Sequence, residues 1–293
     1  CRLHNHLDFL AVCDANVFVQ FDRFAMNFAV DRYLLNELFH DGLHVPRQVS
    51  PISGSPNFDE KYAYHDLEYD PDKANQLLDD AGYSEKDSEG YRLWKDGSGE
   101  TLTFVIEGTT AADNEEILKI IEYYHAVGLK CSYNSVERSL YTEHFNANDL
   151  DCAYWGTGGR ALFPILDATI IMGTQPDRGW ATAWGLWRRS DGTDPNGEEP
   201  PADHWIREIW RIWDEEVAEE PDWDKANAAM AGMFEIWARE IPIIGYTGET
   251  PTACIVKNGL VNMLDGFPSS DTTADEHIYN PEILFWENPE DHM

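Results

Sequence analysis

The sequence predicts an α/β fold built on a mixed sheet flanked by helices. A strand-like alternation, a helical stripe and a second strand-like alternation follow one another between Leu102 and Tyr133. A well-punctuated helix precedes them at Asp70–Gly82, and helical and strand patterns recur as far as Val256. Such alternation sets helices against a sheet and makes strands joined by a helical crossover parallel neighbours.

The elements follow in order. Phe9-Leu10-Ala11-Val12 reads as a core strand. Asp22 to His40 reads as one helix, with Phe21, Phe24, Ala25, Phe28, Leu35 and Leu38 on one face and Gly42 as its stop. Pro46 to Pro56 is a loop punctuated by Pro46, Pro51, Gly54 and Pro56. In the next helix Asp70 is the N-cap and Pro71 occupies the first turn, where its missing N–H removes no bond. Ala74, Leu77, Leu78 and Ala81 form the apolar face of that helix, and Gly82 ends it. Leu102, Phe104 and Ile106 mark a strand, Asn114 to Val127 a helix, Leu129, Cys131 and Tyr133 a strand, and Leu150 to Trp155 another. Gly156 to Ala202 is glycine-rich and reads as irregular. Helices follow at Asp203–Val217 and Asp224–Glu240, then strands at Ile241–Thr247 and Thr252–Val256.

Composition narrows the function. The 293 residues, 43% of them hydrophobic, suffice for a sizeable core. Lys and Arg total 21 against 54 Asp and Glu, a net charge of −33. A surface of that sign repels phosphates and anionic headgroups, so nucleic acid and membrane insertion are not expected. The carboxylate excess also suits a saline setting. Cys1, Cys13, Cys131, Cys152 and Cys254 show no CxxC spacing, and Cys131 and Cys152 read as small buried hydrophobes. No transmembrane run or signal peptide is evident, and the start at Cys1, so close to the Phe9 strand, reads as that of a fragment rather than a lipid-anchored tether.

Five segments occur in order along the chain: Phe24-Ala25-Met26-Asn27-Phe28-Ala29-Val30-Asp31-Arg32, the run from Tyr69-Asp70-Pro71 through Leu77-Leu78 to Ala81-Gly82-Tyr83, Ala126-Val127-Gly128-Leu129, Asp149 to Gly156, and Gly197-Glu198-Glu199-Pro200-Pro201. In that order they resemble segments of the family 5 extracellular solute-binding proteins, the dipeptide, oligopeptide and nickel-binding group of ABC importers. The Tyr69–Tyr83 run is similar to the most specific signature of that family. The resemblance implies a periplasmic-binding-protein-like type II lobe, in which residues 1–20 belong to a hinge or N-terminal lobe strand. Residues 21–256 form the C-terminal ligand-binding lobe, and 257–293 return toward the other lobe. It implies a monomer, periplasmic or at the cell surface, that closes on an oligopeptide and delivers it to ABC permease subunits unchanged. An oligosaccharide ligand is the alternative within the family.

Candidate ligand residues are Trp155, Gly156, Arg160, Trp180, Trp184 and Trp187. Large rigid aromatics in or beside a glycine-rich segment suit stacking on sugar rings or peptide side chains, and Arg160 suits a carboxylate fork. Trp210, Trp213 and Trp237 lie at helical spacing and read as core. Where peptide binders of the family often carry an acidic residue, this chain has Thr157-Gly158-Gly159, which keeps the oligosaccharide alternative open. His4 with His6, and His40 with His44, lack a third ligand, and Asp191 to Gly197 reads as a turn rather than a calcium loop, so no metal or cofactor is expected. No GxSxG, HExxH, P-loop or GxGxxG motif occurs in a suitable context. From another class, a secreted glycoside hydrolase remains the rival, although abundant Asp and Glu make carboxylate pairs uninformative.

Overall fold

The structure, a computed structural model, describes residues 9–13, 20–156, 163–177, 179–249, 257–262 and 283–291, with side chains from residue 23 onward. Strands β1 (Phe9–Cys13), β3 (Thr103–Gly108), β4 (Lys130–Ser135), β5 (Cys152–Gly156) and β6 (Ile243–Gly245) form a five-stranded sheet in the order β4-β3-β5-β1-β6. β3 runs parallel to β4, with Phe104 opposite Cys131, and parallel to β5, with Ile106 opposite Cys152. β1 is antiparallel to both neighbours, placing Phe9 opposite Gly156 and Leu10 opposite Gly245. Phe9–Cys13, which the family resemblance assigns to a hinge segment, therefore pairs inside the same sheet as the rest. β2 (Val45–Pro46) pairs with β7 (Thr247–Gly248) beside it, and β8 (Leu260–Val261) pairs with β9 (Phe285–Trp286). The strand expected at Thr252–Val256 lies outside the described residues.

Strand alternation sorts side chains into two cores, one on each face of the sheet. Phe104, Ile106, Cys131, Cys152, Tyr154, Ile244 and Tyr246 join the first, while Ala153 and Ile243 join the second. Helices α1 (Gln20–Phe28), α2 (Arg32–His40), α4 (Pro71–Asp80) and α5 (Glu115–Ala126) supply the first core. α3 (Glu60–Ala63), α6 (Arg138–Asn146), α7 (Thr182–Arg189), α8 (Ile206–Ile212) and α9 (Trp223–Glu240) supply the second. α8 runs on into a π-helical turn, Trp213–Val217.

The best-marked helices form as expected. Asp70 Oδ1 accepts the Lys73 N–H at 2.9 Å and Pro71 opens α4, while Asn114 Oδ1 accepts the Ile117 N–H at 3.0 Å to open α5. Two expectations need correction. Asp22–His40 is two helices: Asp31 adopts an extended conformation and its Oδ1 accepts the Leu34 N–H at 2.9 Å, starting α2 afresh. The reset changes the phase, so Leu35 is buried while Leu38 is exposed. Within the irregular segment, α7 forms without a sequence start signal, because Ala181 precedes it at φ 56° and offers no side-chain cap. Gly185 sits inside α7 because an added Cβ would stand 2.2 Å from the Gly173 carbonyl oxygen, so the helix lies directly on that backbone. Among the described residues no helix is long and apolar enough to cross a membrane.

Candidate functional site

β3 and β5 are adjacent and parallel, yet α5 after β3 packs into the first core while α7 to α9 after β5 pack into the second. Chain leaving adjacent parallel strands toward opposite faces opens a crevice at their carboxyl ends, where open α/β sheets bind ligands. Those ends are Gly108 and Trp155-Gly156. Trp155 is half-buried and its ring stacks on Tyr141 at 4.7 Å between centroids. The guanidinium of Arg138, the first residue of α6, lies 4.4 Å from the Trp155 ring centroid, and Arg138 Nη2 donates to Asp177 Oδ2 at 2.6 Å. Asp177 in turn accepts from Gln175 Nε2 at 2.8 Å. The strand end thus carries an aromatic shelf topped by an oriented, exposed cation.

Along the same edge, at the end of β6, lies a concavity open to solvent. Its floor is Phe234 and Trp237 of α9 and Ile170, and its walls are the Arg47–Pro51 segment, Pro164, Asp167, Ile171, Gly245 and Thr247. A buried polar lattice holds these walls. Arg32 Nε donates to the Gly245 carbonyl at 2.8 Å, and its Nη1 donates to the Asn27 carbonyl at 2.9 Å. Gln48 donates to Asn27 Oδ1 at 2.7 Å and accepts the Gly245 N–H at 3.1 Å. Burial pulls the pKa of Arg32 down to about 10, which leaves it cationic at neutral pH. Arg47 pairs with Glu249 and donates from Nη2 to Ser50 Oγ and the Pro51 carbonyl, both at 2.7 Å.

Residues 22–171, about half of the chain, match the family model described as bacterial extracellular solute-binding proteins, family 5 middle. The chain belongs to this family. No curated protein matches the chain in sequence. Among solved structures, oligopeptide-binding protein OppA is 28% identical with a TM-score of 0.78, over 96% of this chain and 47% of that one. The oligopeptide-binding protein AppA from Bacillus subtilis, in complex with a nonapeptide, is 16% identical with a TM-score of 0.65, over 97% of this chain and 52% of that one. The binding protein MelB from Agrobacterium fabrum, in complex with stachyose, is 14% identical with a TM-score of 0.65, over 82% of this chain and 38% of that one. The last two show a shared fold. This family 5 protein therefore spans about half the length of the solved structures it matches or less.

The family 5 chain distributes its expected ligand residues unevenly. Trp155 and Gly156 stand at the crevice, with Gly156 buried as the last residue of β5. Arg160 lies outside the described residues. Trp180 is buried, donating from Nε1 to the Ile170 carbonyl at 2.7 Å and stacking on Trp205 at 5.1 Å. Trp184 packs on His204 at 4.4 Å and Trp187 on Trp210 at 6.2 Å, both half-buried on α7. These three pack in the second core, against which Trp155 also packs. The cavity walls were not legible as a site. Gly245 inside an apolar strand run was the available signal, since a strand glycine often marks a close backbone approach. Asp191–Gly197 is a turn, with Asp194 Oδ1 accepting the Asn196 N–H at 2.9 Å. Among the described residues no group of three or more His, Cys, Asp or Glu is placed to hold a metal ion.

Proposed function

We propose that this chain is one wall of the ligand cleft in the solute-binding subunit of an ABC importer, and that the ligand is an oligopeptide. The observation that carries the peptide assignment is the likeness to OppA, which extends over 96% of the chain. The geometry at Trp155 supports it. A sugar ring needs a bare aromatic face, whereas Tyr141 and the Arg138 guanidinium already occupy this ring. In this reading the ligand lies along the carboxyl edge from Gly156 toward Gly245, and closure of a second wall shifts the protein to a closed state. The closed monomer then delivers the ligand, unchanged, to permease subunits from the periplasm or the outer cell surface.

Thermal-shift measurements with short peptides, cello- and xylo-oligosaccharides and nickel test this. A peptide present at a hundred times its Kd stabilises the folded state by about 2.7 kcal/mol, which is readily seen. A response to oligosaccharide or nickel alone rejects the peptide ligand. Turnover of an oligosaccharide makes the protein a hydrolase and rejects binding without chemistry.

A further inference from the structure

We infer that the concavity at the end of β6 is a side-chain subsite for a bulky apolar residue, aromatic or branched aliphatic, of the bound peptide. This rests on the oligopeptide reading and assigns part of the ligand's identity. The wall groups differ in whether they keep hydrogen-bonding capacity for a guest.

The polar wall groups bond within the protein. Arg47 is engaged by Glu249, Ser50 and Pro51, and Gln48 by Asn27 and Gly245. Thr247 Oγ1 lies 3.3 Å from His44 Nδ1, and Asp167 Oδ1 accepts both the N–H and the hydroxyl of Thr169. Most of the surface left to a guest is apolar, and Val49, Pro164, Ile170, Ile171, Phe234 and Trp237 line it. A sugar entering there would leave hydroxyls dehydrated and unpaired, which opposes binding. A leucine or phenylalanine side chain carries no such groups and gains from leaving water.

The cavity is also preformed. Its Arg47–Pro51 wall is tied to β6 by the Gln48–Gly245 bond and to the strand end by Glu249. Glu249 also accepts from the Ser53 backbone and hydroxyl at 3.0 and 2.7 Å. A guest therefore meets a wall already held in place and loses little affinity to ordering it.

Calorimetry on the full chain, with peptides of one length that differ at a single position, tests the assignment. One series is made for each position, with Ala, Leu, Phe, Glu or Lys. At one position, Leu and Phe should bind roughly a hundredfold more tightly than Ala, with Glu and Lys weaker still. Val49→Trp, which fills the mouth, should compress that preference to a few-fold. Ile171→Asp, which places a carboxylate there, should shift it toward Lys. Peptide binding with no preference at any position overturns the subsite while leaving the oligopeptide reading intact. So does a Val49→Trp variant that loses thermal stability but keeps the full preference, since the cavity is then packed by the protein itself. Absence of any peptide binding overturns both.

Discussion

Arg32 on α2 donates from Nε to the carbonyl oxygen of Gly245 on β6 at 2.8 Å, joining residues 213 positions apart. The guanidinium also donates to the Asn27 carbonyl, and the site is fully buried. Gly245 has no room for a side chain: an added Cβ would lie 2.5 Å from the Arg47 carbonyl oxygen and 2.7 Å from Gln48 Cα. Arg32→Leu should therefore cost about 3 kcal/mol by leaving buried carbonyls unpaired. Gly245→Ala should cost about 2 kcal/mol by forcing the Arg47–Gln48 wall outward. Because both act on one junction, the double variant should lose less than the sum, as read from urea unfolding.

Arg138 separates stability from binding. It is exposed, and among the described residues it makes an ion pair with Asp177 and a ring contact with Trp155, so Arg138→Gln should change stability by less than about 1 kcal/mol. If ligand lies along the Trp155 shelf, the same variant should change peptide affinity tenfold or more. Equal affinity in both proteins would place the ligand elsewhere.

His204 links stability to pH. Burial, helped by the charge of Arg23, holds its pKa down at about 4 against an ordinary 6.5. Its Nδ1 accepts the Ile206 N–H at 3.2 Å, a bond that only the neutral ring can accept. Between pH 6.5 and 4 the unfolded chain holds the extra proton, so this contribution is present above that window and is lost as pH falls through it. His204→Asn keeps an acceptor that does not titrate. Its unfolding midpoint should fall less steeply over the same pH range than that of the parent protein.

A net charge of −33 makes the folded surface repel itself. Salt screens that repulsion, so the melting temperature should rise steadily from low ionic strength toward about 1 M NaCl, where the screening length is about 3 Å. A flat response would show that the carboxylates are already neutralised by their neighbours.

Where local chemistry decides, the fold was legible. Asp70, Pro71 and Gly82 bracket α4, and Asn114 and Gly128 bracket α5, because caps and left-handed stops act within a few residues. The alternation of Phe104 and Ile106 with Cys131 and Tyr133 marked two parallel strands. The division between α1 and α2 was hidden because Asp31 has no breaker beside it. α7 was hidden because Gly185 resembles a loop glycine until Gly173 is seen beneath it. Of the candidate site, Trp155 was visible as an aromatic at a strand end, but its stacking on Tyr141 and its cover by Arg138 were not.

The chain's own order of residues determined its class, its main helices and strands, its acidic surface and its likeness to family 5, since each depends on composition or on neighbours close in sequence. Only the tertiary structure decided where the concavity beside β6 lies. Arg47, Ile170 and the Trp237–Gly245 stretch are far apart in the chain, and they meet at the edge of the sheet where β5 and β6 end. It likewise set Trp180 in the packed interior, because burial depends on what folds over a ring and not on the residues beside it in the chain.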